Sequence, residues 1–130
     1  DFLNLNNVTD AVVVGAGKLG KALMNYNGFS SSINILMAFD NDRTICDNKK
    51  IFYIDKMKNL IKRMNIHIGI IAVPKDAAQE VCDALVSSGV KAIWNFAPIN
   101  LKASKDVVVK NEDLSASLLV LLKVLNERGV

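Results

Sequence analysis

Histidine is nearly missing from this chain of 130 residues, which holds one, and cysteine is scarce, with two. Cys46 and Cys82 stand 36 positions apart with no CxxC pair and no histidine-rich neighbourhood. That spacing argues against a structural zinc and against a disulfide framework, and no metal ligand set is expected. No apolar run reaches the length of a membrane-spanning helix, and no secretory h-region is present. A basic arm is missing too: the net charge is +3 and the lysines are scattered, so composition makes no case for nucleic-acid binding. No internal repeat or low-complexity segment interrupts the chain. The expectation is a reducing, cytoplasmic setting with no membrane contact.

What the chain does have is apolar material, 51% of its residues, enough for the core of one domain of the commonest size. Its most informative segment is Val12-Val13-Val14-Gly15-Ala16-Gly17-Lys18-Leu19-Gly20, followed twenty positions later by Phe39-Asp40. Three glycines stand where a buried strand gives way to a helix, the layout of a dinucleotide-binding turn. Gly15 permits the tight turn, Gly17 lets the backbone approach a pyrophosphate, and Gly20 lets the new helix press against its sheet. The helix N-terminus, with Ala16, Lys18 and Leu19 around it, then faces the two phosphates with its free N–H groups and positive dipole end. Asp40 closes the next apolar run. Its carboxylate suits an adenosine ribose and repels a 2′-phosphate, which favours NAD(H) over NADP(H).

Strand and helix signals alternate along the rest of the chain. Strands are expected at Ala11 to Val14, Ile33 to Phe39, Ile51 to Ile54, Ile68 to Val73, Val90 to Phe96 and Val107 to Val109. The first helix is expected over Leu19 to Tyr26. Asp55 is expected to cap a second, whose apolar face is Met57, Leu60, Ile61 and Met64. A third, from about Asp76 to Ser88, buries Ala77, Ala78, Val81 and Leu85, with Gly89 as a left-handed cap. Residues 41 to 50 are polar and without period, hence a surface loop. Six strands with helical crossovers predict a doubly wound parallel α/β sheet, in which ligands bind outside the carboxyl ends of the strands.

A last helix, from about Leu114 to Glu127, is apolar on every side through Leu118-Leu119-Val120-Leu121-Leu122. A one-sided helix needs one core. This one is expected to contact two surfaces, hence a second copy of the chain. The organisation expected is a nucleotide-binding domain over 1–113 and a dimerisation helix over 114–130 of the same domain.

The whole chain resembles the nucleotide-binding domain of the redox-sensing transcriptional repressor Rex family. Beyond the glycine turn, the resemblance rests on Tyr26-Asn27-Gly28-Phe29, Ala38-Phe39-Asp40, Val73-Pro74 with Ala77-Ala78-Gln79, Asn95-Phe96-Ala97-Pro98, and Asn111-Glu112-Asp113-Leu114. It implies a Rossmann-type fold and a protein that senses the NADH to NAD+ ratio, binds NADH more tightly and releases DNA when NADH is bound. It implies a homodimer whose C-terminal helices exchange between subunits. It places Gly15, Gly17 and Gly20 on the pyrophosphate, Asp40 on the adenosine ribose, and Val73, Pro74, Asn95, Phe96, Ala97 and Pro98 at the nicotinamide end. Tyr26 and Asp113 match a family pair implicated in the redox switch, although Tyr26 also reads as an ordinary packing tyrosine just past a helix. Leu114 stands where some relatives place a phenylalanine. Family proteins reach DNA through an N-terminal winged-helix domain, which is absent from this chain, so the sensor half is what the resemblance assigns.

A dehydrogenase would need an acid or base beside the nicotinamide. His67 opens the strand whose far end approaches the ligand, and six residues at about 3.3 Å place it about 20 Å away. Lys75, after Pro74, is the one candidate left for an NAD-dependent oxidoreductase. The favoured reading of Lys75 is a solvated lysine at a helix start. Coenzyme A is a third possible ligand, because the glycine turn serves any diphosphate. The expectation is a sensor and not an enzyme, since sensing requires only binding.

Overall fold

The computed structural model describes residues 8–112 and 114–129, apart from the side chains of 114–117. Its centre is β1 (Thr9–Val14), whose last four residues are buried on both faces. A run of small and β-branched residues fits such a position, flanked by strands on both sides and covered above and below. β2 (Ile33–Asp40) pairs with one edge of β1 and β4 (Ile68–Ile71) with the other. β3 (Ile51–Tyr53) adds beyond β2, while β5 (Ala92–Asn95) and β6 (Val108–Asn111) add beyond β4. All five pairings are parallel and the order is β3-β2-β1-β4-β5-β6. The doubly wound sheet expected from the sequence is therefore what forms. Its direction of winding reverses between β1 and β4, where such sheets open a crevice at their carboxyl edge.

Two apolar layers flank the sheet. On one face α2 (Met57–Met64) and α3 (Lys75–Ser87) bury Met57, Ile61, Ala78, Cys82 and Leu85 against Val12, Val14, Phe39 and Ile71. On the other, α1 (Lys18–Asn25) sets Leu23 and Met24 against Ala11, Val13, Ala38 and Ile70. The alternation of Val12 and Val14 with Ala11 and Val13 is the period of a strand read onto its two faces.

Several local expectations change. Asp55 caps nothing: Ile54–Lys56 forms one tight 3₁₀ turn, β3 stops at Tyr53, and α2 starts at Met57 behind Lys56 without a side-chain cap. Met64 is exposed, because α2 ends on it and the chain turns away through Asn65 at φ 54°. α1 starts one residue early, at Lys18, and Tyr26 leaves the helix in an extended conformation. β2 runs on to include Asp40, β4 stops at Ile71 short of Val73, β5 is shorter than expected at both ends, and β6 is displaced to Val108–Asn111. In α3, Cys82 takes the buried place expected for Val81, which is half-buried together with Ala77. Gly89 has the expected left-handed backbone, at φ 111°.

α4 (Leu114–Glu127) is a helix as expected, and its described side chains from 118 onward are all exposed. Within this one chain the leucine-rich surface lies against neither of the two layers. Among the described residues no helix is long and apolar enough to cross a membrane.

Candidate functional site

The turn after β1 is built by its own backbone and by one carboxylate. Gly15 sits at φ 102°, and a Cβ there would meet the Ala72 carbonyl oxygen at 2.5 Å, so both conformation and space require glycine. Its N–H donates to the Phe39 carbonyl at 2.8 Å, fastening the end of β1 to the end of β2. At Gly20 a Cβ would run into the Gly15 carbonyl oxygen. The third glycine thus serves the close return of α1 onto the turn itself. Gly17, at the start of α1, is different: nothing lies within 4 Å of where its Cβ would be. It borders open space, as a backbone meant to meet a ligand would.

Asp40 ties this turn to the loop that follows β2. One carboxylate oxygen accepts the Ala16 N–H at 2.8 Å and the other accepts the Asp42 N–H at 2.9 Å. Each oxygen keeps further lone-pair capacity. The loop beyond is organised by two more aspartates. Asp42 accepts from the Thr44 N–H and hydroxyl, which lowers its carboxyl pKa. Asp47 accepts from the N–H groups of Ile51, Lys49 and Lys50, each at 2.9 Å, and its pKa falls to about 2. The Cys46 thiol reaches the carbonyls of Asp42 and Asp40. Desolvation, followed by the charges of Asp40 and Asp42, pushes its pKa up. A thiol so disfavoured as thiolate is a weak nucleophile.

Around the turn, a cleft of about 680 Å³ opens at the carboxyl edge of β1, β2 and β4. Gly15, Gly17, Asp40, Val73 and Pro74 line it, and all five were singled out in the sequence. Its other wall comes from Met57 and from Ala77, Val81 and Ala84 of α3. In the sequence Met57, Ala77 and Val81 read as core positions, Ala77 also as part of the family resemblance, and Ala84 carried no reading. The signal that finds them is topological: the helices following the carboxyl ends of β3 and β4 border the crevice, α3 through one face over Ala77, Val81 and Ala84. The cleft is mostly apolar with a carboxylate and a glycine turn at its centre, a composition suited to a flat ring system joined to a charged linker.

Asn95, Phe96, Ala97 and Pro98 lie at the carboxyl end of β5, outside the walls of that cleft. The Asn95 side chain is fully buried. It accepts the Ala97 N–H at 2.9 Å and donates to Ala97, Ile99 and the Asn111 side chain, so it shapes the Phe96–Pro98 loop from beneath. Phe96 belongs to the opposite face, in a row of rings with Trp94, Phe29 and Tyr26. Tyr26 is 58% exposed and rests on Gly28, edge-on to Phe29. Lys18 and Leu19 start α1 on its exposed side, and Lys75 starts α3, also exposed. His67 is exposed just before β4, at the edge opposite the cleft. Asp113 lies outside the described residues, as does the Leu114 side chain. Among the described residues, no group of three or more metal-ligating side chains comes together.

A parallel sheet of this order with a glycine turn at its reversal point carries a family signature. The model of the CoA binding domain family matches residues 6–99. The chain belongs to that family. Within it, the similarity to Rex is extensive. The redox-sensing transcriptional repressor Rex of Clostridium botulinum is 42% identical over 132 residues, an alignment covering 98% of this chain and 63% of that protein. Two crystal structures of RSP, a Rex-family repressor, superpose with a TM-score of 0.90 at 38% identity over 98% of this chain. One is a complex with β-NAD+ and operator DNA, of whose chain 61% is covered; the other is a complex with β-NADH, with 65% covered. The resemblance to the Rex nucleotide-binding domain thus holds in sequence and in fold. The chain spans less than two thirds of the length of these relatives.

Proposed function

We propose that this chain is the NAD(H)-binding sensor domain of a Rex-type transcriptional repressor. The observation that carries the reading is the Asp40 carboxylate holding the Ala16 N–H at the mouth of the glycine turn, inside the cleft of about 680 Å³. Gly17 and the first turn of α1 would meet the pyrophosphate with backbone N–H groups, and Asp40 would accept from the adenosine ribose. Val73 and Pro74 at the end of β4, and the Phe96–Pro98 loop braced by Asn95, would border the nicotinamide. A bound nicotinamide supplies redox chemistry; the chain's own groups bind and orient it. Lys75 is exposed at the start of α3 and His67 sits at the edge opposite the cleft, and binding alone calls on neither as a proton donor. The domain would report the NADH to NAD+ ratio by differential binding, not consume either form.

The structural relatives supply the rest of the reading. RSP is seen with operator DNA, and this chain would act on DNA as part of such a repressor. The exposed leucines of α4 would be buried against a second copy, giving a homodimer, with Tyr26 and Asp113 as switch candidates at the junction. The setting expected is cytoplasmic. Mass spectrometry of nucleotide released from the purified chain tests the ligand: NADH or NAD+ supports the reading. Coenzyme A alone would instead favour a metabolite-binding domain of the wider family.

A further inference from the structure

The loop after β2 carries a cation, Arg43, three residues beyond Asp40. Asp42 donates its N–H to Asp40 at one end, and the Cys46 thiol contacts the Asp42 carbonyl at 3.3 Å and the Asp40 carbonyl at 3.9 Å at the other. Between these anchors Arg43 opens a 3₁₀ turn capped by Asp42. Its guanidinium lies over the ring of Tyr53, 3.7 Å from the centroid. Tyr53 is the residue paired with Asp40 across β2 and β3. A carboxylate and a guanidinium are therefore held on neighbouring strand ends beside the cleft, and the guanidinium is occupied by an aromatic face.

A ribose bearing a 2′-phosphate is accommodated in doubly wound nucleotide sites when an arginine near the end of the second strand can reach it. Here such an arginine exists three residues after Asp40. We propose that Arg43 and Tyr53 are specificity-determining residues for the adenosine end of the site: Tyr53 withholds Arg43, so that rejection of a 2′-phosphate rests on this stacking as well as on the Asp40 charge. The proposal rests on the NAD(H) reading above. An exposed cation–π contact is modest in strength, so removing it shifts the arginine's population by a few-fold and leaves the fold intact.

The test is calorimetric titration of the full chain with NADH and with NADPH. Tyr53→Leu, which keeps bulk and loses the ring, should raise the NADPH to NADH affinity ratio about threefold. Tyr53→Phe should leave the ratio unchanged, and Tyr53→Leu with Arg43→Met should return it to the original value. An unchanged ratio in Tyr53→Leu, or a raised ratio that survives removal of Arg43, overturns the proposal. A second comparison leaves Tyr53 in place. In an Asp40→Ser background, Arg43→Met should lower NADPH affinity about tenfold with NADH affinity unchanged, as for one charge-assisted hydrogen bond; equal loss of both overturns it. If the unmodified chain binds neither dinucleotide, the NAD(H) reading itself falls and this proposal with it. NADH binding together with an NADPH affinity that does not depend on Arg43 in the Asp40→Ser background sinks the proposal alone.

Discussion

The indole N–H of Trp94 donates to a carboxylate oxygen of Glu112 at 3.1 Å, joining β5 to the residue that follows β6. The backbone makes a second tie at the same level, from the Glu112 N–H to the Asn95 carbonyl at 2.8 Å. On the other face of β5, the Asn95 side chain donates to the Asn111 side chain at 2.9 Å. The exit of β6, which leads into α4, is thus clamped to the strand that ends at the Phe96–Pro98 loop.

Trp94→Phe should keep the ring stack with Phe29 and Phe96 and lose the Glu112 contact. A lost hydrogen bond to a charged acceptor costs about 1.5 to 3 kcal/mol when buried, and less at this half-exposed position. Urea denaturation should show a stability loss of about 1 kcal/mol for Trp94→Phe. Glu112→Gln, which retains an acceptor oxygen, should lose less.

The glycines separate folding from binding. Gly20→Ala places a methyl group into the Gly15 carbonyl and should lower stability by about 1 to 3 kcal/mol through overpacking. Gly17→Ala meets open space, so its thermal midpoint should be unchanged while NADH affinity falls, since the added methyl stands where the pyrophosphate approaches. Melting curves and titrations of the two variants, read side by side, check this division.

The loop beside the cleft has its own acid limit. Asp47 has a depressed pKa in the folded chain because three backbone N–H groups donate to its carboxylate. A depressed carboxyl contributes stability that is fully present above its ordinary value of 3.8 and is lost as pH falls towards about 2. Hydrogen exchange at the Lys49, Lys50 and Ile51 amides should therefore accelerate across that window. In Asp47→Ala these amides should exchange fast at all pH values.

How far these features were legible depends on how local they are. The β1 turn, the acidic residue closing the second apolar run and the alternation of strands with helices follow from neighbouring residues, since turn chemistry, strand period and helix period act within a few positions. The Asp40–Ala16 bond was not foreseen, although the Asp was, because a carboxylate can serve a ligand and the protein at once. Arg43 on Tyr53 and Trp94 on Glu112 join residues whose separation shows no period, so only the folded pairing of β2 with β3 and of β5 with β6 brings them together. The α4 pattern announced a helix that needs burial, but an apolar pattern carries no address for its partner.

That helix makes a further prediction. Burying Leu118, Leu121, Leu122 and Leu125 against a second copy would contribute at most about 1.5 to 3 kcal/mol each. Replacing Leu118 and Leu122 with glutamate should convert dimers to monomers in size exclusion coupled to light scattering. Removing residues 115–130 should give monomers or insoluble protein. A truncated chain that stays soluble and dimeric would move the interface to another face.

The central claim is that the glycine turn and Asp40 hold NAD(H), and calorimetric titration of the unmodified chain and Asp40→Ala with NADH tests it most directly. Saturable binding to the unmodified chain, weakened by about 1 to 3 kcal/mol in Asp40→Ala through lost charge-assisted hydrogen bonds, is the predicted result. Equal NADH affinity in the two proteins, or tighter binding of NADPH than of NADH by the unmodified chain, would contradict it.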